Sequence, residues 1–566
     1  MNVTLVVPPA LGSLDEERVE YLGIGYVAAV ARQSGHHVDI LDCRFRSLTH
    51  PQAVEAIIAQ RPDIVGITGC FAFDLTSGVK LAQTLRAAGY GGMIVAGGHP
   101  ATATFKALLT KFPAVNVVVR GEGEIAFTEL LDKLEQGHDW RETPGIAFQQ
   151  NGEVITTEPR RLLADLDSLP SPARDNIYTD GAPSSYVWFR SRGFEPGTVI
   201  LGSRGCPFRC TYCSVQSFYR ISPGPAWRGR SPESVVDEMA HLVERWGFRS
   251  FRFSDDNFLG SCRKGRLRAE EIARCLLAKK LSVSFVIECC VTDVDFQLFS
   301  LLKRAGLVRV NLGIESGVPR MLERFNKYAR VEDNKKAVAI LRELGIEYHP
   351  NFILVDPQTT LEELRQNLDF LKETRIYLAP KALHILYSNR LGLFAGTPLY
   401  EQMRSARKTK AWRYSGFTDE DQKISEALGA VLDYEDQDPR VTLFLELLEK
   451  VISKLAERDL ELARLEQQLR ARNAASSSVD RAAATPQGNG QGLLPPIERW
   501  RANAGRLALR LFEKALTRAE QGKIKDETAE KQVQEFFSDL NHYDNLHFGK
   551  TVDELVQAED AAVAAA

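Results

Sequence analysis

Five short apolar runs, "NVTLVV", "HVDILD", "DIVGITG", "MIVAGG" and "NVVVRG", punctuate the first 136 residues. Helical patterns such as "GIGYVAAVARQSG" and "SGVKLAQTLRAAG" separate them. Unbroken apolar strands divided by helices are buried on both faces, so the pattern predicts a doubly wound, Rossmann-like parallel sheet. Ligands on such sheets lie beyond the carboxyl ends of the strands. Here those ends read "TGCF", "GGHPAT" and "RGEGE", which makes Thr68, Gly69, Gly97, Gly98, His99, Gly121, Glu122 and Gly123 candidate binding residues. Small residues there let a large planar or phosphate-bearing ligand approach backbone amides; tight turns with no ligand are the competing reading.

The run "GIAFQQNGEVITTE" predicts a hairpin turning at Asn151-Gly152. The Pro-rich stretch from "LPSPARD" to "FEPG" reads as a surface linker. From Thr198 a second alternating series begins, with strands at "TVILGS", "SFRFSD", "SFVIEC", "VRVNLGIES", "YHPNFILVDP" and "KALHILYSN". Six strand–helix units make a partial (β/α)6 barrel, with its chemistry at the carboxyl ends of the strands. Beyond about residue 400 the pattern becomes helical, broken by the Ala/Ser/Gly/Gln-rich "NAASSSVDRAAATPQGNGQG". The expected division is an α/β domain over 1–140, a hairpin and linker over 141–195, and a barrel over 196–400. A helical region over 401–566 completes it, with a flexible linker near 473–493.

Composition narrows the class. The chain has 566 residues, 44% hydrophobic and 26% charged, with a formal charge of -3. That balance gives no electrostatic case for nucleic acid or a membrane surface. No apolar run approaches the roughly 18 to 20 residues of a membrane span. The N-terminus lacks a basic segment before its short apolar run and reads as a strand. Nine cysteines in so long a chain form no disulfide framework, and a reducing cytoplasm fits them best.

Three of those cysteines share one loop. "GSRGCPFRCTYCSV" places Cys206, Cys210 and Cys213 at the spacing C-x3-C-x2-C directly after a predicted strand. A structural zinc site needs four protein ligands, and no second C-x2-C occurs; the nearest histidines, His241 and His349, lie in unremarkable contexts. An ordinary four-iron cluster also takes four thiolates. Three thiolates leave one iron open to a small-molecule chelator.

The loop and its position after the first barrel strand resemble the radical S-adenosylmethionine (SAM) superfamily. The resemblance implies that Cys206, Cys210 and Cys213 hold three irons of a [4Fe–4S] cluster while SAM chelates the fourth. Tyr212 matches the position flanking the adenine. Asp255 and Asp256, in "FRFSDDNFLG", match the acidic motif that holds the methionine amine, and Glu315, in "NLGIESG", falls near the ribose or substrate. Those three carboxylates are therefore the expected catalytic and SAM-binding residues. An N-cap pair is the alternative for the two aspartates. Asn326, Lys327 and Asp356 fit either turns or the barrel mouth. Where relatives often carry Glu-Cys-Arg, this chain reads Glu288-Cys289-Cys290.

The first 140 residues are similar to the cobalamin-binding domain fused before such barrels, so the glycine-lined strand ends would receive cobalamin. The Asp-x-His-x-x-Gly motif that supplies an axial histidine is absent, and His99 does not match it. The implied activity is a cobalamin-dependent C-methyltransferase using two molecules of SAM, one to methylate cobalamin and one as radical source. Radical cyclisation or rearrangement, and non-radical methylation, use the same cofactors. The expected partners are a small-molecule or peptide substrate and an electron donor such as flavodoxin or ferredoxin.

Overall fold

The computed structural model describes residues 1–12, 20–174, 197–379, 389–479 and 494–523, with isolated positions between 531 and 544. The first domain is a seven-stranded sheet in the order β2-β1-β3-β4-β5-β6-β7. Strands β1 (Asn2–Val7), β2 (His37–Asp42), β3 (Ile64–Thr68), β4 (Met93–Gly97) and β5 (Val117–Val119) are parallel. Helices α1 (Leu22–Gln33) and α5 (Gly123–Glu135) cover one face through Ile24, Ala28, Phe127 and Leu130. Helices α2 (His50–Gln60), α3 (Ala72–Ala87) and α4 (His99–Lys111) cover the other through Ile57, Leu75, Val79 and Leu108.

The predicted hairpin is not a separate unit. Its strands β6 (Ile146–Gln150) and β7 (Glu153–Thr156) extend the sheet, β6 pairing antiparallel with β5. Asn151 and Gly152 take φ of 51° and 84°, the positive angles that a two-residue primed turn demands.

The second domain is a parallel five-stranded sheet, β14-β13-β12-β11-β8. Its strands are β8 (Gly197–Ile200), β11 (Ser250–Phe253), β12 (Ser284–Cys290), β13 (Leu307–Glu315) and β14 (Glu347–Phe352). A hairpin of β9 (Ser203–Gly205) and β10 (Trp227–Gly229), with the short helix α6 (Ser214–Tyr219) between, is inserted after β8. The outer helices are α7 (Pro232–Trp246), α8 (Arg263–Ala278), α9 (Phe296–Arg304), α10 (Pro319–Arg324), α11 (Val331–Glu343) and α12 (Leu361–Thr374). Local signals set their ends. Ser231 accepts the Ser234 N–H at 3.2 Å to start α7, and Gly247 closes it at φ 71°. The predicted sixth strand, "KALHILYSN", lies outside the described residues except at its end, where Leu354 donates to the Asn389 carbonyl at 3.0 Å.

After the barrel the expected all-helical region contains a small antiparallel sheet, β15 (Leu393–Phe394), β16 (Thr409–Ala411) and β17 (Val431–Tyr434). With α13 (Pro398–Ser405) and α14 (Asp419–Leu428) it forms a cap joined to both domains. Lys80 of α3 pairs with Asp421 of α14 at 2.7 Å. Arg390 pairs with Asp433 and Asp436 at 2.9 and 2.7 Å and stacks over Tyr434. Helices α15 (Pro439–Val479) and α16 (Leu494–Glu520) follow; α16 lies against α12, with Arg365–Glu520 at 2.7 Å and Lys372–Glu513 at 2.6 Å. No helix among the described residues is long and apolar enough to cross a membrane.

Candidate active site

The carboxyl ends of both sheets face one another across a cavity of about 1510 Å³. From the first domain Thr68, Gly69, Gly97, Gly98, His99, Gly121, Glu122 and Gly123 line it, the full set expected from sequence. The glycines are sterically necessary at one point. Gly98 has φ 97°, and a Cβ there would lie 2.1 Å from the Gly69 carbonyl oxygen. The β3 and β4 ends are also tied directly, Gly69 donating to the Gly97 carbonyl at 3.2 Å. The His99 ring stacks on Phe218 at 3.8 Å, and burial pushes its pKa down to about 4, so the imidazole is neutral.

Behind the β3 loop, Asp74 accepts the backbone N–H groups of Cys70 and Phe71 at 3.0 and 2.9 Å and is paired with buried Arg44. This holds Phe71, 55% exposed, on the cavity wall, where it stacks with Phe73. Trp412 and Tyr414 of the cap complete an aromatic side that sequence periodicity did not mark. Only their proximity to "TGCF" in space reveals them.

The barrel contributes the cysteine loop. Cys206, Cys210 and Cys213 are free thiols on the cavity wall. Segment 324–326 straps the loop down. Thr211 donates through N–H to the Phe325 carbonyl and through its hydroxyl to the Arg324 carbonyl, both at 3.0 Å. Asn326 donates to the Arg209 carbonyl at 2.9 Å, so it is a loop brace. Burial pushes the thiols of Cys210 and Cys213 up to about 11 and 12, so ligation must expel protons. Among the described residues no three His, Cys, Asp or Glu side chains converge as a single ion requires. The three thiols share one loop on the cavity wall, which suits a cluster held by three thiolates.

The two adjacent aspartates part company. Asp255 is buried with both oxygens used, Oδ1 accepting the Gly202 N–H at 2.7 Å and Oδ2 the Ser203 hydroxyl at 2.6 Å. Both aspartates line the cavity, and Asp256 accepts a single bond, from the Gly205 N–H at 2.9 Å to Oδ2. Burial, with Glu288 and Asp255 nearby, pushes its carboxyl up to about 7. Glu315 ends β13 at φ 61° and pairs with Lys327 at 2.9 Å. Gly313 leaves room for that pair, since a Cβ there would lie 2.9 Å from each charged atom. The Tyr212 ring packs edge-on against Phe325, and burial, with the charge of Glu315 nearby, holds its hydroxyl well above its ordinary pKa. Cys289 and Cys290 are buried on the same wall. Asp356 is a turn residue instead of a barrel-mouth group: it is held by Arg324 and accepts the Gln358 N–H.

Between the domains lies a buried charge network. Arg204 of β9 pairs with Glu122 at 3.1 Å and Glu124 at 2.6 Å. Arg228 of β10 pairs with Glu122 at 2.9 Å, and Leu163 donates its N–H to the same carboxylate. Glu122, expected to face a ligand, thus spends both oxygens docking the hairpin that leads into Cys206.

Known proteins match this arrangement at both ends. The model of the radical SAM superfamily matches residues 200–371, and that of the B12 binding domain matches residues 15–131. An uncharacterized methyltransferase of Pyrococcus horikoshii is 30% identical over 383 residues, 66% of this chain and 79% of that protein. The anaerobic magnesium-protoporphyrin IX monomethyl ester cyclase of a Synechocystis strain is 28% identical over 429 residues, 73% of this chain and 80% of that protein. Among solved structures, the cobalamin-dependent SAM radical enzyme OxsB, with aqua-cobalamin and SAM bound, shares the fold. Its TM-score is 0.67 at 16% identity, over 95% of this chain and 84% of that one. The chain belongs to the cobalamin-dependent radical SAM enzymes, whose cofactors are a [4Fe–4S] cluster, SAM and cobalamin.

Proposed function

We propose that this enzyme transfers a methyl group from SAM, by way of cobalamin, to an unactivated carbon of a small-molecule or natural-product substrate. The observation carrying the proposal is the shared cavity, into which the cysteine loop and the glycine-lined strand ends both open. Together the cofactors supply a methyl donor and a carbon-centred radical chemistry that protein side chains cannot provide.

Cys206, Cys210 and Cys213 hold the cluster. Asp256 is the carboxylate that receives the methionine amine, because Asp255 is already committed to Gly202 and Ser203. Tyr212 flanks the adenine. The Glu315–Lys327 pair presents a neutralised wall, so Glu315 faces the nucleoside without adding net charge. Thr68, Gly69, Gly97, Gly98, Gly121 and Gly123 admit cobalamin close to the backbone. The neutral His99 packs beside them on Phe218, and Phe71 covers the adjoining face. The aromatic wall and the closed domain interface exclude water from the reacting atoms.

The test counts products. Protein loaded with cluster and cobalamin, given methyl-labelled SAM and candidate substrates, should form S-adenosylhomocysteine and 5′-deoxyadenosine together with a labelled product. Absence of deoxyadenosine would refute the radical reading. The similarity to a ring-forming cyclase over 429 residues supports a second reading, ring closure. Deoxyadenosine with an unlabelled, cyclised product would establish it.

A further inference from the structure

A second cleft, of about 410 Å³, adjoins the cofactor cavity and shares only Glu122 and Glu124 with it. Arg204 and Arg228 already neutralise those two carboxylates, which form the partition between the cavities. The cleft opens where the domains meet, a common place for ligand sites. Arg120 and Ile125 line it from the first domain, Ser222 from the β9–β10 hairpin, and residues 158–163 from the segment between. Arg120 is the unusual group. Its guanidinium lies over the Phe105 ring at 4.4 Å, while its Nε is buried with no hydrogen-bond partner. It forms no ion pair among the described residues, and burial alone lowers its pKa. The other described arginines with such a buried nitrogen, Arg44, Arg228 and Arg458 among them, each pair with a carboxylate. An unpaired arginine at the open surface is served by water; a half-buried one with a dry nitrogen lacks its counter-charge. Arg160 is paired with Glu129, which leaves Arg120 and Arg161 against one unpaired carboxylate, Glu158, among the described lining residues.

We propose that this cleft is a binding site, separate from the cofactor cavity, for a small organic oxyanion: a carboxylate or phosphate that accepts from Arg120, carried on an apolar body lying against Ile125, Pro159 and Leu162. The anion supplies the missing counter-charge and a charge-assisted acceptor for the guanidinium. The walls are fixed in advance. Leu162 donates its N–H to the Pro223 carbonyl at 2.9 Å, and Leu163 donates to Glu122 at the same distance. Arg120 donates its own backbone N–H to the Gly145 carbonyl at 2.8 Å. The occupant touches both domains, since Ser222 belongs to the barrel insertion. The Ser222 hydroxyl also sits against Gly121, where a Cβ would lie 3.2 Å from it. Binding therefore draws the hairpin onto the Gly121–Gly123 turn, which lines the cofactor cavity from its other side.

The experiment titrates phenyl phosphate and benzoate in parallel into the full chain by calorimetry, with and without saturating hydroxocobalamin. The tighter of the two identifies the oxyanion, and inorganic phosphate should bind more weakly than phenyl phosphate. Arg120→Gln and Ile125→Glu should each weaken binding about tenfold or more, while Arg499→Gln, at a distant exposed arginine, should leave it unchanged. Ile125 is 40% exposed, so its variant reads the site without removing a packed side chain. In the cofactor-free chain the tighter probe should raise the urea midpoint of the first unfolding transition for the wild type and not for Arg120→Gln. Absence of binding by both probes at millimolar concentration overturns the proposal, as does equal binding by the wild type and Arg120→Gln. Inorganic phosphate binding as tightly as phenyl phosphate overturns it too, because the apolar walls would then play no part. Loss of binding when hydroxocobalamin is added would assign the cleft to the phosphate of cobalamin itself and overturn its separateness.

Discussion

Arg204 offers a direct test of how the domains are joined. Its side chain is 8% exposed, spans Glu122 and Glu124, and lies over the Tyr26 ring at 5.3 Å. Replacement by methionine keeps much of the volume but removes the charge. Glu122 retains Arg228 at 2.9 Å, whereas Glu124 loses its partner in a site where its side chain is 6% exposed. Breaking a buried pair costs about 3–5 kcal/mol. Glu124 sits in the first turn of α5, where the helix dipole returns about 1 kcal/mol. The expected loss for Arg204→Met is therefore about 2–4 kcal/mol. Adding Glu124→Gln should recover at least half, because it is the orphaned charge that is costly. The assay is a urea titration of the cofactor-free chain, reading the first unfolding transition for both single variants and the double variant. A loss below about 1 kcal/mol, or a double variant no better than Arg204→Met, would refute the reasoning.

Other substitutions probe the site itself. Asp256→Asn should leave folding intact and weaken SAM binding to the cluster-loaded protein about tenfold by equilibrium dialysis, whereas Asp255→Asn should destabilise the Gly202–Ser203 turn and lower the iron content after reconstitution. Equal behaviour of the two would contradict their separation. Gly98→Ala places a Cβ against the Gly69 carbonyl at φ 97°, costing about 1–3 kcal/mol of strain. It should abolish the spectral change on adding hydroxocobalamin while the cysteine loop still takes up iron. Burial alone would raise the Asp421 pKa, but the hydrogen bonds from Lys80 and Thr418 hold it below the ordinary value. Its contribution is thus present above about pH 4 and lost as pH falls further. Asp421→Asn should cost about 1 kcal/mol at pH 7 and progressively less as pH falls below about 4, read from urea midpoints.

Local patterns made the strand–helix alternation, the Asn151-Gly152 turn and the cysteine spacing legible, because each depends on residues within a few positions. The features that escaped depend on distance. Lys80 meets Asp421 across 341 positions, and Arg204 meets Glu122 across 82. No periodicity connects them. Asp255 and Asp256 looked equivalent because the chain leaves β11 before reaching them, so strand alternation no longer says which carboxylate the Gly202–Ser203 turn consumes. The cap sheet was missed for a simpler reason: its strands of two to four residues are too short to carry an alternating pattern. Lys327 needed the vacancy at Gly313 to be recognised as the partner of Glu315.

The β9–β10 hairpin makes domain docking and cofactor geometry one mechanical unit. The middle residue of β9, Arg204, reaches into the first domain, and two residues later the chain arrives at Cys206. Any shift of the first domain would pull on the cysteine loop, which 324–326 also fixes from the barrel side. The walls meeting the cofactors are thus over-determined by both domains. The cap adds a third wall. Phe394 of β15, and Trp412 and Tyr414 after β16, reach the same cavity from a sheet held by Arg390 and Asp421, while Leu399 of α13 donates to the Thr211 carbonyl of the cysteine loop at 3.0 Å. Substitutions at Phe394 or Trp412 should therefore alter the cavity's shape, whereas those at Leu399 should also disturb the cysteine loop and lower iron uptake on reconstitution.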